Sequence, residues 1–477
     1  MKDDNLDWKK NSTYKISLPI LGLALTFITL AFISGYTLFA YPAIMIVLCL
    51  ISFDLGMQFM LFTLGINFAI FADSISLGPI HPNSLITVSQ IIFMLIGIAR
   101  LKQISIEKRT AFFAMFAVTY LVTIAYTPDV INGVKVFANI VLYALTLWLF
   151  SNLEDTQAEP IFKYSLVSGA VALYVYAVQF ATSREALWLA DPDRGLRFAG
   201  GGVHPVPLGF FMVFLIYCSV YMMEKKRSPA FLLPAFIAAI FCILTLTRMA
   251  LIGLLITLVL YIYNKKLLKF AIPIMIIAVI FAAPAAMNLF LKNDAKNHQD
   301  DLNFVSSGRL TLWDLAFQQF KQHPFLGVGI GGSAVTFSIY GLITPHSDYM
   351  RVILEAGILG GVLFIIYLIS QSIQVFKKMK IEPVAACMFA FLIVSMLTDS
   401  LLDYNLYFTL PVFMLAGIMN NKRHGKAFQS AEDAPPQAQN QHIHSEEKHE
   451  KNYHANDNNR KPGGFYARSK KIDGAAK

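Results

Sequence analysis

Apolar segment follows apolar segment through the first 420 residues, and most of the breaks between them are short. A helix that crosses a bilayer needs about 20 predominantly apolar residues. Runs of that kind lie at roughly 16–34, 36–53, 57–72, 85–99, 111–126, 131–151, 161–181, 207–223, 229–247, 249–263, 268–290, 352–374, 383–401 and 404–420. A helix that is apolar all round must be buried in a core or in lipid. One water-soluble core cannot absorb so many. Only 14% of the residues are charged and mean hydropathy is +0.56, whereas soluble chains carry about 25% charge. The sequence predicts an all-α polytopic membrane protein with about 12–14 transmembrane helices.

Lys and Arg in the short connections set the expected orientation. The N-terminal 15 residues carry Lys9, Lys10 and Lys15. Alternate connections then carry Arg100, Lys102, Lys108 and Arg109; Lys163; Lys225, Lys226 and Arg227; Lys265, Lys266 and Lys269; Lys377, Lys378 and Lys380; Lys422 and Arg423. Every second connection is basic, so these connections and both termini are expected in the cytoplasm. The net charge of +9 is therefore a topology signal, and no nucleic-acid partner is expected. The opposite side receives 73–84, 127–130, 182–206, the turn at Thr247–Arg248, 291–351 and 401–403.

The expected organisation is a cytoplasmic N-terminus (1–15), transmembrane helices (16–290), a large loop (291–351), C-terminal transmembrane helices (352–420) and a disordered cytoplasmic tail (421–477). The tail is rich in Gln, Asn, His, Lys and Glu and lacks apolar periodicity, which is the signature of a segment without a core. Its histidines fit a solvated tail better than a metal site. The first apolar run lacks a small-residue cleavage site, so it is expected to stay as the first span. Cys49, Cys218, Cys242 and Cys387 all fall inside apolar runs with no CxxC spacing, the pattern of small buried hydrophobes.

The loop 291–351 is the one long polar excursion between spans. Within it, Leu310, Trp313, Phe317 and Phe320 recur at helical spacing, with Ser306 or Ser307 as a candidate cap and Pro324 after the end. This predicts an amphipathic helix lying on the membrane surface. The glycine run Gly327, Gly329, Gly331, Gly332 lacks the preceding strand of a dinucleotide-binding turn. A flexible turn or lid hinge is expected there. Asp191-Pro-Asp193 matches the D-x-D of metal-dependent sugar transferases, but its flanks suggest a turn.

Arg197, Arg248, Arg309 and His346 all fall on the side opposite the basic connections. An arginine at mid-membrane costs about 2.5–3.5 kcal/mol on insertion scales, and snorkelling to the interface relieves part of that. Three on one side favour an anionic ligand, because guanidinium pairs with phosphate bidentately and stays charged at any working pH. A lipid phosphate or diphosphate is the obvious candidate. His346 offers a neutral imidazole near neutral pH, suited to general-base work. Asp348 and Glu355 follow closely in sequence. The spans carry no charge near their centres, unlike transporters of polar solutes.

Taken together, these motifs resemble the bacterial O-antigen ligase and O-antigen polymerase superfamily over roughly residues 190–365. The resemblance rests on Arg197, Gly200, His204 and Pro205; on Thr245, Thr247 and Arg248; on Ser307, Gly308, Arg309 and Trp313; on His323, Pro324, Gly327 and Gly329; and on His346, Asp348, Tyr349, Arg351, Glu355, Gly357 and Gly360. The pattern departs at Ser347 and Val206, where the family often has Asn.

The resemblance implies a fold similar to the C-type membrane glycosyltransferases, with one large periplasmic loop over a lipid-facing groove. It implies transfer of a glycan from undecaprenyl diphosphate to an acceptor hydroxyl at the periplasmic face of the bacterial inner membrane, without metal or other cofactor. The acceptor would be lipid A–core for a ligase or a second lipid-linked glycan for a polymerase. Chain-length and flippase proteins are implied as further partners. His346 would deprotonate the acceptor hydroxyl, with inversion at the anomeric carbon. Arg197 and Arg248 would bind the diphosphate, with Arg309 as a third contact, and Asp348, Tyr349, Arg351 and Glu355 would support the site. A flippase and a non-catalytic assembly scaffold are the alternatives from other classes.

Overall fold

The computed structural model describes residues 40–70, 82–101, 105–153, 158–182, 188–191, 195–200, 205–265, 309–338, 344–403 and 408–421. The expected spans at 16–34 and 268–290, and the tail from Lys422, lie outside these residues. In chain order the helices are α1 (Ala40–Ile51), α2 (Phe53–Ile70), α3 (Pro82–Ala99), α4 (Lys108–Thr123), α5 (Val130–Asn152) and α6 (Glu159–Thr182). Then come α7 (Pro205–Lys226), α8 (Leu232–Leu244), α9 (Arg248–Asn264), α10 (Arg309–Gln322), α11 (Gly332–Phe337), α12 (Asp348–Lys377), α13 (Pro383–Met396) and α14 (Thr409–Asn420). One antiparallel hairpin, β1 (Trp188–Asp191) with β2 (Gly195–Phe198), stands between α6 and α7. The hairpin is absent from the expectations above. Its eight residues are too few for periodicity to separate them from a loop.

The protein is an all-α polytopic membrane protein. Residues 108–126, α5, α7 and α12 are long and apolar enough to cross a bilayer, and seven shorter apolar helices accompany them among the described residues. Neighbours in sequence pack together, α1 on α2, α4 on α5, α6 on α7 and α7 on α8, as do α1 on α3 and α2 on α6. Long-range packing of α4 on α12 and of α5 on α14 ties the N- and C-terminal halves together. Buried aromatics line these seams. Phe113 meets both Tyr367 and Phe413 edge-on, and Tyr143 stacks on Phe413 at 4.5 Å. All four cysteines are buried and free.

Contacts gather the basic connections at one end of the bundle. Lys226 pairs with Glu159 at 2.8 Å and Lys265 with Glu224 at 2.7 Å. The Lys378 ammonium donates to the Asn421 carbonyl at 2.9 Å, and Asn264 donates to the Met379 carbonyl. Carbonyls near the end of α14, where helical partners run out, accept from α12. Gln371 donates to the Ala416 carbonyl at 3.2 Å and Gln374 to the Met419 carbonyl at 2.8 Å. Residues 371, 374 and 378 fall on one helical face, so a single stripe of α12 caps the end of α14.

Helix α12 is two helices joined at Gly357, whose φ of 63° and ψ of −162° interrupt the ladder. Residues 358–377 form the membrane-length part, about 30 Å at 1.5 Å per residue. Residues 348–356 form a separate short piece, and Tyr349 packs against Phe364 across the break. No side chain fits at the break. A Cβ on Gly357 would collide with the Phe325 carbonyl group.

Candidate functional site

Helix α10 forms as the spacing predicts, and it carries a second apolar face that packs against protein. Leu312 and Ala316 are buried against Phe337 and Leu354. Of the stripe noted in the sequence, Leu310 and Phe317 are exposed, at 40% and 46%, while Trp313 and Phe320 are half-buried. Helical periodicity finds an apolar face but cannot say which of two faces meets protein. Arg309 is the first residue of α10 and half-buried, and its candidate caps at 306–307 lie outside the described residues.

The glycine run is clamped on both sides. Gly327, Gly329 and Gly331 all have positive φ, at 73°, 93° and 76°. The amides of Val328 and Gly329 donate to the carbonyls of Leu354 and Glu355, at 2.9 and 3.1 Å. Across the loop, the Ile330 amide donates to Thr123 Oγ1 at 3.1 Å, Thr127 Oγ1 to the Ile330 carbonyl, and Tyr126 to the Leu326 carbonyl at 2.7 Å. Thus 324–331 is wedged between the break in α12 and the corner joining α4 to α5. This corrects the expectation of a flexible turn or hinge. The glycines are there because the backbones approach closely: a Cβ on Gly329 would lie 2.9 Å from Thr127 Cα.

His346 sits two residues before α12 in a left-handed conformation, with φ 52°. Histidine tolerates that region less well than glycine, so neighbours must hold it. Trp313 Nε1 donates to the Pro345 carbonyl at 3.2 Å, and the His346 amide donates to Thr344 Oγ1 at 3.4 Å. Ser347 caps α12 by accepting from the Met350 amide. His346 itself is half-buried.

The other residues of this segment have structural partners. The Asp348 carboxylate, fully buried, accepts from the Leu401 amide at 2.8 Å and the Leu402 amide at 3.2 Å. It fixes the start of α12 to the turn at Leu401–Asp403. The Arg351 guanidinium meets Glu355 at 3.2 Å with both side chains buried, and Ser333 donates to the same Glu355 oxygen at 2.5 Å. Glu355 thereby joins α12 to α11. Tyr349 donates to the Ile393 carbonyl at 3.1 Å, linking the short piece of α12 to α13. Ser333 was missed in the sequence, since a lone serine beyond a glycine run carries no signal.

Arg197 lies in β2, opposite Leu189 in the register. Its side chain is 3% exposed. Nε donates to the Thr245 carbonyl at 2.9 Å and Nη2 to Thr247 Oγ1 at 3.4 Å. Thr247 also donates to the Pro205 carbonyl at 3.1 Å. The turn between α8 and α9 contains Leu246 at φ 50°, and Arg248 opens α9 immediately afterwards with its Nε and Nη2 atoms buried. The structure therefore brings Arg197 and Arg248 to one corner. It brings Arg309's helix, His346, Asp348, Tyr349, Arg351 and Glu355 to a second corner. Helices α9 and α12, which carry the two corners, both pack on α13.

The described architecture is that of a multi-pass, all-helical membrane protein with irregular, arginine-bearing backbone gathered at one end. Residues 233–365 match the family model described as O-Antigen ligase, so the chain carries a domain of the O-antigen ligase-related superfamily. That segment runs from α8 through the break in α12 and contains Arg248, Arg309 and His346, while Arg197 precedes it. No curated protein matches the chain.

Proposed function

We propose that the protein transfers a glycan from undecaprenyl diphosphate to an acceptor hydroxyl, as an O-antigen ligase with lipid A–core as acceptor. His346 acts as general base. Its imidazole takes the proton of the acceptor hydroxyl while that oxygen attacks the anomeric carbon. The bond from that carbon to the diphosphate oxygen breaks, undecaprenyl diphosphate leaves, and the configuration inverts. Arg197 and Arg248 hold the diphosphate and stabilise the charge that builds on it. Arg309 adds a third phosphate contact. The reaction needs no metal and runs at the periplasmic face of the inner membrane.

One observation carries this reading: a family segment containing His346 in a strained, tethered turn, in a chain whose Arg197 and Arg248 share a corner. The family reading also covers repeat-unit polymerisation, which differs only in acceptor.

The test is turnover of a purified lipid-linked donor by wild type, His346→Ala and His346→Asn. Asn accepts the left-handed backbone but cannot take the proton. Both variants are expected to lose transfer by about 10²–10⁴-fold while inserting normally. Full activity in either would remove the general base. Arg197→Lys and Arg248→Lys are expected to recover only part of the activity lost in the Ala variants, because lysine lacks the bidentate fork. Loss of activity on chelation would contradict the metal-free reaction. In a strain lacking the gene, long chains held on the carrier lipid point to a ligase, and single repeat units point to a polymerase.

A further inference from the structure

A groove of about 650 Å³ runs along α12 beside α13. Ile365, Ile369, Ile373 and Phe376 line it, spaced on one helical face and exposed by 41%, 57%, 51% and 47%. Its two ends differ. At the basic end stands Lys377, exposed, with no ion pair or hydrogen bond among the described residues. Lys378 and Lys380 lie within three residues of it. At its other end the groove meets Tyr349, which is tied to the Ile393 carbonyl. From Ile365 to Lys377 is about 18 Å at 1.5 Å per residue. One leaflet of hydrocarbon is about 15 Å, half of the bilayer core.

The groove thus has the depth of one leaflet, an apolar wall, and a cation where a headgroup would sit. We infer that it docks one anionic glycerophospholipid from the leaflet at the basic end. The phosphate would pair with Lys377, and an acyl chain would lie along the isoleucine face. Apolar wall and surface cation are the two terms that govern such recognition. The exposed ammonium at the basic end is the complement of an anionic headgroup, which favours the phospholipid. This inference is independent of the proposed reaction.

The experiment counts lipids retained on the full-length protein by native mass spectrometry. The protein is released from nanodiscs containing equal amounts of phosphatidylglycerol and phosphatidylcholine. Wild type is expected to retain one phosphatidylglycerol with about five-fold preference, the contribution of one basic residue at a membrane surface. Lys377→Glu is expected to abolish the preference with an unchanged melting temperature in phosphatidylcholine alone. Ile369→Trp, which fills the groove, is expected to lower retention of both lipids. Equal retention of the two lipids by wild type would overturn the inference, as would a preference that survives Lys377→Glu. So would displacement of phosphatidylglycerol by undecaprenyl phosphate in wild type but not in Ile369→Trp, which would assign the groove to an isoprenoid.

Discussion

The two ends of the bundle are built by different means. At the basic end the helices finish regularly. Their terminal carbonyls are capped by Gln371, Gln374 and Lys378, and exposed ion pairs such as Lys226–Glu159 lie around them. Arg227, after α7, is the one described non-glycine residue there with positive φ. At the other end, Leu246, His346 and Gly327, Gly329, Gly331 and Gly357, all with positive φ, interrupt the helices. Regular helix ends need only their terminal carbonyls satisfied, here by side chains of a neighbouring helix. Irregular backbone persists only where surrounding contacts over-determine it, at a cost of about 1–3 kcal/mol per strained residue. The strained backbone at this end is held by those contacts, and it includes the turns that carry Arg248 and His346.

This contrast predicts a gradient of effects. Arg351→Ala should be the most damaging, at about 3–5 kcal/mol, because it leaves Glu355 charged and buried without its cation. The double variant Arg351→Met with Glu355→Met should recover most of that loss. Unfolding in detergent measures both, and an Arg351→Ala protein as stable as wild type would break the comparison. Gly357→Ala should cost about 3 kcal/mol from its left-handed backbone, with the Phe325 clash adding to it.

Glu382, at the basic end, sharpens the contrast. Burial, with Glu224 adding and Lys225 opposing, pushes its carboxyl up to about 7 from 4.5. The folded state therefore favours the protonated form. Its stability contribution is complete below about pH 4.5 and is lost as pH rises through about 7. Glu382→Gln should remove that slope, on the order of 2–3 kcal/mol between those limits. A slope unchanged in Glu382→Gln would assign the titration elsewhere. The smallest effect belongs to Lys226→Met. Its side chain is 51% exposed, so losing the pair should shift stability by less than about 1 kcal/mol.

Much of this was legible in the sequence, for identifiable reasons. Hydropathy located the described spans from 36–53 to 404–420 because lipid imposes length and apolarity on every helix. The Lys and Arg alternation foretold which connections meet, and the contacts at Glu159, Glu224 and Asn421 bring them together. The Thr247–Arg248 turn and the helix at 309–322 were also visible, since punctuation and period are local signals. What stayed hidden is tertiary. That Asp348 clamps the amides of Leu401 and Leu402 depends on a backbone more than 50 residues away. The clamping of the glycine run depends on Thr123 and Thr127, some 200 residues earlier. Phase alone could not assign the two faces of α10.

The short piece of α12 between the Ser347 cap and the Gly357 break has a further consequence. Both of its ends are pinned, one by Asp348 on the amides of Leu401 and Leu402, the other by the glycine run. Each added or deleted residue would rotate one end against the other by about 100°. Swinging Asp348 off its amides or Glu355 off Ser333 would then be unavoidable. The spacing from His346 to Gly357 is therefore a measured quantity of the fold. Changes of side chain can be absorbed there, but a change of length cannot.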